Sequence, residues 1–334
     1  MKMFFFLIFI LLIVSCSSDT RNNYTKNKPN FYNEEIMKQG EIVVSTMASS
    51  SKILHDIAWQ ILIKNLDSCK ESIITAFGIM VAEPKDLPEN LKTSYAILFV
   101  ENLYKESYYS SPIIVSVAKN SPAEEKGIKE KDIILSVNGH EARGDIRNLL
   151  SKASRTGVLK LKVFRYEKEL EIEIIGTQIC GYAVQPLVSP FPTAYADGSK
   201  IFVTLAALNF IRDESELAFL IGHELAHNIL HFKGEKVGEE NFLPISVQDK
   251  PAIRRIGDIF IWESQSKEAE ADRLGVEYSY KAGYNPYSAA NYFRRLSTYM
   301  PELIEGSAFN IHPGNATRSY NLDRVAKQLD KSNN

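Results

Sequence analysis

The stretch FLIGHELAHNILHF, residues 219–232, sets two histidines four positions apart, with a glutamate directly after the first. Residues four apart on an α-helix are separated by about 6 Å along the axis and rotated by only about 40°. His223 and His227 can therefore turn both imidazoles toward one zinc ion, at the Zn–N distance of about 2.0–2.1 Å. Glu224 falls on the neighbouring strip, beside such a metal rather than on it. There it can take a proton from a water and return it to a leaving amine. The alternative is an amphipathic helix with satisfied histidines. Leu220, Ile221, Leu225, Ala226 and Leu230 surround the pair, and imidazoles buried among them without partners are costly. The surroundings favour a metal.

A catalytic zinc takes three protein ligands and keeps a fourth position open for water. His231, two turns beyond His223, lies too far along the helix. The segment SKEAEADRLG (266–275) offers a better third ligand, Glu268, on a second helix. Asp272 lies one turn on, on the same face, where it can accept a hydrogen bond from a liganding imidazole and fix its tautomer. Glu270 points elsewhere, toward solvent. Taken alone, Glu268 and Asp272 would read as an ordinary charged helix face.

HELAH followed by Glu268-Ala269-Glu270-Ala271-Asp272 resembles the gluzincin peptidase family that includes HtpX and the CAAX prenyl proteases, with its soluble periplasmic members the closer match. The likeness covers about 181–325 and extends to the helix near residues 51–69. It implies one zinc per chain, held by His223, His227 and Glu268, with Glu224 as general base. It also implies that KIFVTLAAL (200–208) contains the edge strand, so that Lys200, Ile201, Phe202, Val203 and Thr204 pair with an extended substrate by strand addition. Thr193-Ala194-Tyr195-Ala196 stands where the family often has Asn-Ala-aromatic-Ala, and departs from it at the first position. NIHPGNATR (310–318) resembles the family's His-Pro…Arg segment. By that analogy His312 approaches the open metal position or stabilises the oxyanion, and Arg318 serves an electrostatic or structural role.

Working outward, SKILHDIAWQILIKNLDSC (51–69) carries a helical stripe of apolar residues, and FGIMVA (77–82) and YAILFV (95–100) read as alternating apolar segments. IIVSV (113–117) and IILSV (133–137) read as strands. SPAEEKG (121–127) reads as a short helix with Pro122 in its first turn and Gly127 as its stop. A polar helix over 144–154 and two strands, VLKLKVFRY (158–166) and ELEIEI (169–174), complete this unit. The pattern V-x-x-x-S-P-A-x-x-x-G-I-x-x-x-D-x-I-L-x-V-N-G (117–139) resembles a bacterial PDZ domain, over about 78–176. Such domains add extended peptides as a strand beside a sheet edge. NLYKESYYSS (102–111) occupies the region read as that family's carboxylate-binding loop, without its glycines. Farther on, a helix starts after Asp213 with Glu216 at the capping-box position and ends near Gly234. Others follow over about 264–282, 287–298 and 317–330.

The N-terminus is different in kind. MKMFFFLIFILLIVSC (1–16) is one lysine, an apolar run from Met3 to Val14, then Ser15 and Cys16. The run is short for a membrane span and reads as a secretion signal. IVSC resembles a bacterial lipobox, which implies that Cys16 is acylated and holds the chain to a lipid membrane. Ser17 after it favours the outer membrane, with the protein facing the periplasm of a bacterial envelope. Cys69 and Cys180 are then the remaining cysteines of an exported chain. They read as a disulfide closing a loop of roughly 110 residues, a stabilisation of about 4–5 kcal/mol in the chain-entropy picture; two buried thiols are the alternative.

The chain of 334 residues, 45% hydrophobic and 24% charged, has room for two cores. A net charge of -2 carries no electrostatic footprint for nucleic acid. The expected architecture is α+β: a mainly helical zincin-type domain with a small edge-strand sheet, interrupted by a β-rich PDZ domain. Its parts are a signal peptide (1–15), a polar tether (16–40), an N-terminal helical part (41–77), the PDZ-like domain (78–176) and the metallopeptidase domain (177–334). The expected function is zinc-dependent endoproteolysis of unfolded or misassembled envelope proteins. The other readings are a peptide-binding or chaperone-like lipoprotein with a latent metal site, and a structural lipoprotein.

Overall fold

The computed structural model describes residues 30–70, 72–87, 89–100, 110–231, 265–306 and 314–332. Helix α1 (Asn30–Lys64) runs for 35 residues. Its buried positions Gly40, Val44, Met47, Ser51, Leu54, Ala58 and Ile61 step by three and four, the spacing of one helical face. The helix therefore reaches back to Asn30, through part of the segment expected to be a tether. The charged residues before Gly40 are simply its exposed side.

Strands β1 (Ile73–Ala76) and β2 (Ile79–Ala82) follow, joined across Gly78. Gly78 has φ +81°, and a Cβ there would meet Ser121 Cβ at 2.1 Å, so only glycine fits. YAILFV is not a strand: it lies in helix α2 (Glu89–Val100). Leu91, Tyr95 and Leu98 fall four and three apart and meet Val44 of α1 in one apolar cluster. The chain continues through β3 (Ile113–Val117), α3 (Pro122–Glu125), β4 (Ile133–Val137), β5 (His140–Glu141), α4 (Ile146–Thr156), β6 (Val158–Arg165) and β7 (Lys168–Ile175). Ser121 caps α3 by accepting from the Glu124 N–H, and Gly157 ends α4 in the left-handed region.

These strands form a sheet in the order β2-β3-β4-β6-β7, with β5 added to β4. Ile114, Ile134 and Leu159 pack with Leu149 and Ala153 of α4 on one face. Ile113, Val115 and Ile133 pack with α1 and α2 on the other. β3 is buried at all five positions because both its faces are covered.

Strand β8 (Thr177–Cys180) returns antiparallel to β1, and Cys69 and Cys180 are disulfide-bonded with Cα atoms 5.4 Å apart. Next come β9 (Ala183–Leu187), β10 (Ala194–Ala196) and β11 (Lys200–Thr204), in the sheet order β10-β11-β9. This corrects the expected edge strand. Lys200, Ile201, Phe202, Val203 and Thr204 form the middle strand, with β10 antiparallel on one side and β9 parallel on the other. Both backbone edges of β11 are taken, so strand addition there is blocked; the edges belong to β9 and β10.

Helices α5 (Leu205–Phe210), α6 (Glu214–His231), α7 (Gln265–Lys281), α8 (Ser288–Tyr299) and α9 (Asn315–Ser332) complete the fold. Leu54, Ile57 and Ile61 of α1 share one core with Ile201, Val203, Leu217, Ile221 and Phe293. α1 thus belongs to both units. No described helix is long and apolar enough to cross a membrane. The apolar run 3–14 and Cys16 lie outside the described residues, as does most of the segment 102–111.

Candidate metal centre

Helix α6 starts where Asp213 Oδ1 accepts the N–H groups of Ser215 and Glu216, at 2.8 and 3.0 Å. Glu216 reaches back to the Arg212 N–H at 3.0 Å and is gripped by the Arg295 guanidinium of α8. From Glu216 to Asn228 every residue is buried. An all-round buried helix is a central one, and its polar residues need partners.

They find them on α7. The two helices touch through glycines: a Cβ on Gly222 would stand 2.8 Å from the Gly275 carbonyl oxygen, and one on Gly275 would stand 2.9 Å from the His223 nitrogen. This close approach carries Glu268, about two turns earlier on α7, to the histidines. His223 Nε2 and His227 Nε2 are 3.0 Å apart. Glu268 Oε1 lies 3.4 Å from His227 Nε2, and Oε2 lies 3.7 Å from His223 Nε2. Zinc ligands at 2.0–2.2 Å in a tetrahedron stand about 3.3–3.5 Å from one another. The three side chains are buried, and their ligand atoms lie within 4.8 Å of each other. Two imidazoles and one carboxylate at these separations fit zinc.

Asp272 Oδ1 lies 3.0 Å from His223 Nδ1, on the ring's far side from the cluster. A proton on Nδ1 leaves the Nε2 lone pair turned inward, as a metal requires. Arg318 of α9 grips Asp272 with two bonds, Nε to Oδ2 at 2.8 Å and a terminal nitrogen to Oδ1 at 2.6 Å, and lies 3.6 Å from Glu268. Its guanidinium carbon sits 3.9 Å above the Phe293 ring. Burial opposes ionisation of Asp272, but Arg318 and then His223 outweigh it and hold the carboxyl below its usual range. Glu224 is also buried. Its carboxyl is pushed up by that burial, against the pull of His223 and His227.

The sequence thus named His223, Glu224, His227, Glu268 and Asp272 as a group, and the fold brings the ligand trio and Asp272 together. Glu270 is exposed, as expected. Arg318 is part of the site through Asp272, in a role the sequence left open. His312 lies outside the described residues. Sequence reasoning missed Gly222 and Gly275, whose small size alone marks them. It also missed Asn228, which accepts from Gly198 N–H at 2.8 Å and donates to Lys200 O at 3.2 Å. Asn228 ties the β10–β11 turn to the histidine helix.

Two parts of the chain are similar to known proteins. Residues 175–231 and 238–326 match Peptidase family M48, and residues 78–175 match the PDZ domain. The C-terminal part of the chain is thus similar to a peptidase family whose members hold a metal, usually zinc, and residues 78–175 are similar to PDZ domains. It is 24% identical over 189 residues to the mitochondrial metalloendopeptidase OMA1 of Bos taurus, covering 49% of this chain and 36% of that protein. It is 32% identical over 100 residues to the serine protease Do-like HtrA of Bacillus subtilis (strain 168), covering 29% and 21%. The chain therefore spans only about a third or less of these two relatives. A crystal structure of the HtrA3 PDZ domain bound to a phage-derived ligand (FGRWV) aligns over 33% of this chain and 92% of that one, at 24% identity and a TM-score of 0.26.

Proposed function

We propose that the protein is a zinc-dependent endopeptidase in which His223, His227 and Glu268 hold the metal and Glu224 is the general base. The observation that carries this is the buried trio of ligand atoms with Asp272 behind His223. When bound, zinc polarises a peptide carbonyl and lowers the pKa of a water to about 7. Glu224 takes the proton from the attacking water and passes it to the leaving amine. Its raised carboxyl pKa suits a group that must both accept and release a proton near neutrality. Asp272, held by Arg318, keeps the His223 proton on Nδ1. The open edge of β10, tied to α6 by Asn228, is the better candidate for pairing with an extended substrate.

The substrates are extended segments of unfolded or misassembled proteins, and the PDZ domain retains them. The protein acts in a bacterial envelope, tethered by acylated Cys16, a reading supported by the apolar run 3–14 and by a disulfide suited to an oxidising compartment. Zinc content of the purified protein, beside a His227→Ala control, is the first test. One equivalent lost in the control supports the site. A parent that stays metal-free after refilling would remove the basis for an enzyme. Metabolic labelling with a fatty acid, with Cys16→Ala as control, tests the anchor.

A further inference from the structure

Between β9 and β10 the chain reads Val188-Ser189-Pro190-Phe191-Pro192-Thr193. The backbone of this turn is braced from several sides. Thr204, the last residue of β11, donates its hydroxyl to Phe191 O at 2.7 Å and accepts the Thr193 N–H at 3.1 Å. Its own N–H reaches Thr193 O at 3.0 Å. Tyr292 of α8 donates to Pro192 O at 3.2 Å, and Ser189 Oγ accepts the Phe191 N–H at 3.3 Å. The Tyr292 ring packs edge-on against Phe210 and Phe293, with centroids 5.5 and 5.2 Å away. Phe293 in turn carries the Arg318 guanidinium that grips Asp272. A chain of packed side chains thus joins the turn to the carboxylate behind His223.

The bracing leaves the turn little to offer but apolar surface. Pro190 and Pro192 have no N–H. The Phe191 N–H and the Phe191 and Pro192 carbonyls are all engaged within the protein. Yet Val188 is 66% exposed and Phe191 64%, with Pro190 exposed between them. One exposed apolar residue is ordinary; here three fall within four positions of a fixed backbone. The turn leads directly into β10, whose outer edge pairs with no described strand. Two unlike surfaces therefore adjoin: a strand edge with backbone groups to pair, and a turn with apolar contact and no backbone groups to spare. A segment that suits both is extended, pairs along β10, and carries a large apolar side chain where it passes the turn.

We propose that Phe191, assisted by Val188, is a specificity-determining residue that selects a large apolar side chain at one position of the substrate. The inference rests on the reading of β10 as the edge that takes substrate, and it narrows the substrate class. Large apolar side chains are those that folded proteins bury, so a site that requires one in an extended segment takes unfolded chain and passes over polar linkers. Because the turn is already fixed, little ordering is lost when it binds.

The test has two readouts, both on the full chain. In the first, zinc-loaded protein digests a pool of tryptic peptides from denatured albumin, and mass spectrometry of the new ends gives the residue preference at each position around the cut. One position should favour large apolar residues about tenfold. Phe191→Ala should lose most of that preference and keep the others, Phe191→Leu should retain it, and both should hold as much zinc as the parent. A preference that survives Phe191→Ala overturns the proposal, and so does a parent that cuts without one. In the second, Phe191 is replaced by photoreactive benzoylphenylalanine in a Glu224→Gln chain. It is irradiated with decapeptides, blocked at both ends, that differ only in a leucine exchanged for serine. Cross-linking should favour the leucine peptide about tenfold. Equal labelling of the two, or labelling of added phospholipid vesicles in place of peptide, overturns the proposal. A parent that cuts nothing while the photoprobe still selects the leucine peptide would end the peptidase reading and leave the apolar subsite standing.

Discussion

At Glu224 two influences oppose each other: burial disfavours the charge, and the neighbouring imidazoles favour it. Glu224→Gln keeps the shape and removes the proton acceptor. It should lower hydrolysis of fluorescent casein about 10²–10⁴-fold while the zinc content stays at the parent's level; loss of zinc along with activity would make Glu224 a structural residue instead. Asp272 acts one step removed. Asp272→Asn takes the charge away from both Arg318 and His223, and zinc affinity should fall about 10–100-fold in competition with a chelating dye. An unchanged affinity would refute its orienting role. At this scale the sequence was highly informative, because helical spacing alone aligns His223 with His227 and Glu268 with Asp272. Arg318 was legible as a residue but not as a partner: it bonds Asp272 across 46 positions, a separation without any period.

Between elements, the site depends on how near α7 comes to α6. Gly275→Ala would put a methyl 2.9 Å from the His223 nitrogen and 3.0 Å from its Cα, both backbone atoms that cannot swing away. The helices must part, which should destabilise the chain by about 1–3 kcal/mol and weaken zinc binding with it. Urea unfolding with and without zinc measures both, and a variant with parental stability and affinity would show that the contact is slack. Helices α6 and α7 were legible from caps and periodicity. Strand order was not. IFV in β11 reads equally well as an edge or a middle strand, and only pairing with β9 and β10, which is set by distant chain, tells them apart. YAILFV misled for a related reason: six apolar residues fit either period, and the burial of Tyr95 against α1 chose the helix.

In the whole molecule, Cys69 and Cys180 fasten the two ends of the PDZ insertion. Replacing both by alanine should remove about 4–5 kcal/mol in the chain-entropy picture; a urea midpoint equal to the parent's would argue that the packed base holds without the bond. His55, at the seam between units, adds a dependence on acid. Burial lowers its pKa from 6.5 to about 4, partly opposed by Asp56. Between those values the unfolded chain binds a proton that the folded chain refuses. Its stabilisation is therefore whole above pH 6.5 and lost as pH falls toward 4, by about 3 kcal/mol. The difference in urea midpoint between pH 7 and pH 5 should shrink in His55→Gln, and an undiminished difference would assign the acid sensitivity to other groups. The insertion of one unit within the other was legible from the order of motifs. The length of α1 was not, because its early buried positions Gly40 and Val44 are covered by α2, whose helical state the sequence hid. The sharing of α1 also bears on how the chain comes together as it is made. The PDZ domain is a continuous run and can collapse as soon as it is synthesised, but Leu54, Ile57 and Ile61 must wait for Leu217 and Ile221. Until then the helix has one side finished and one side bare, which makes the interval between the two syntheses the stage at which a chaperone has something to hold.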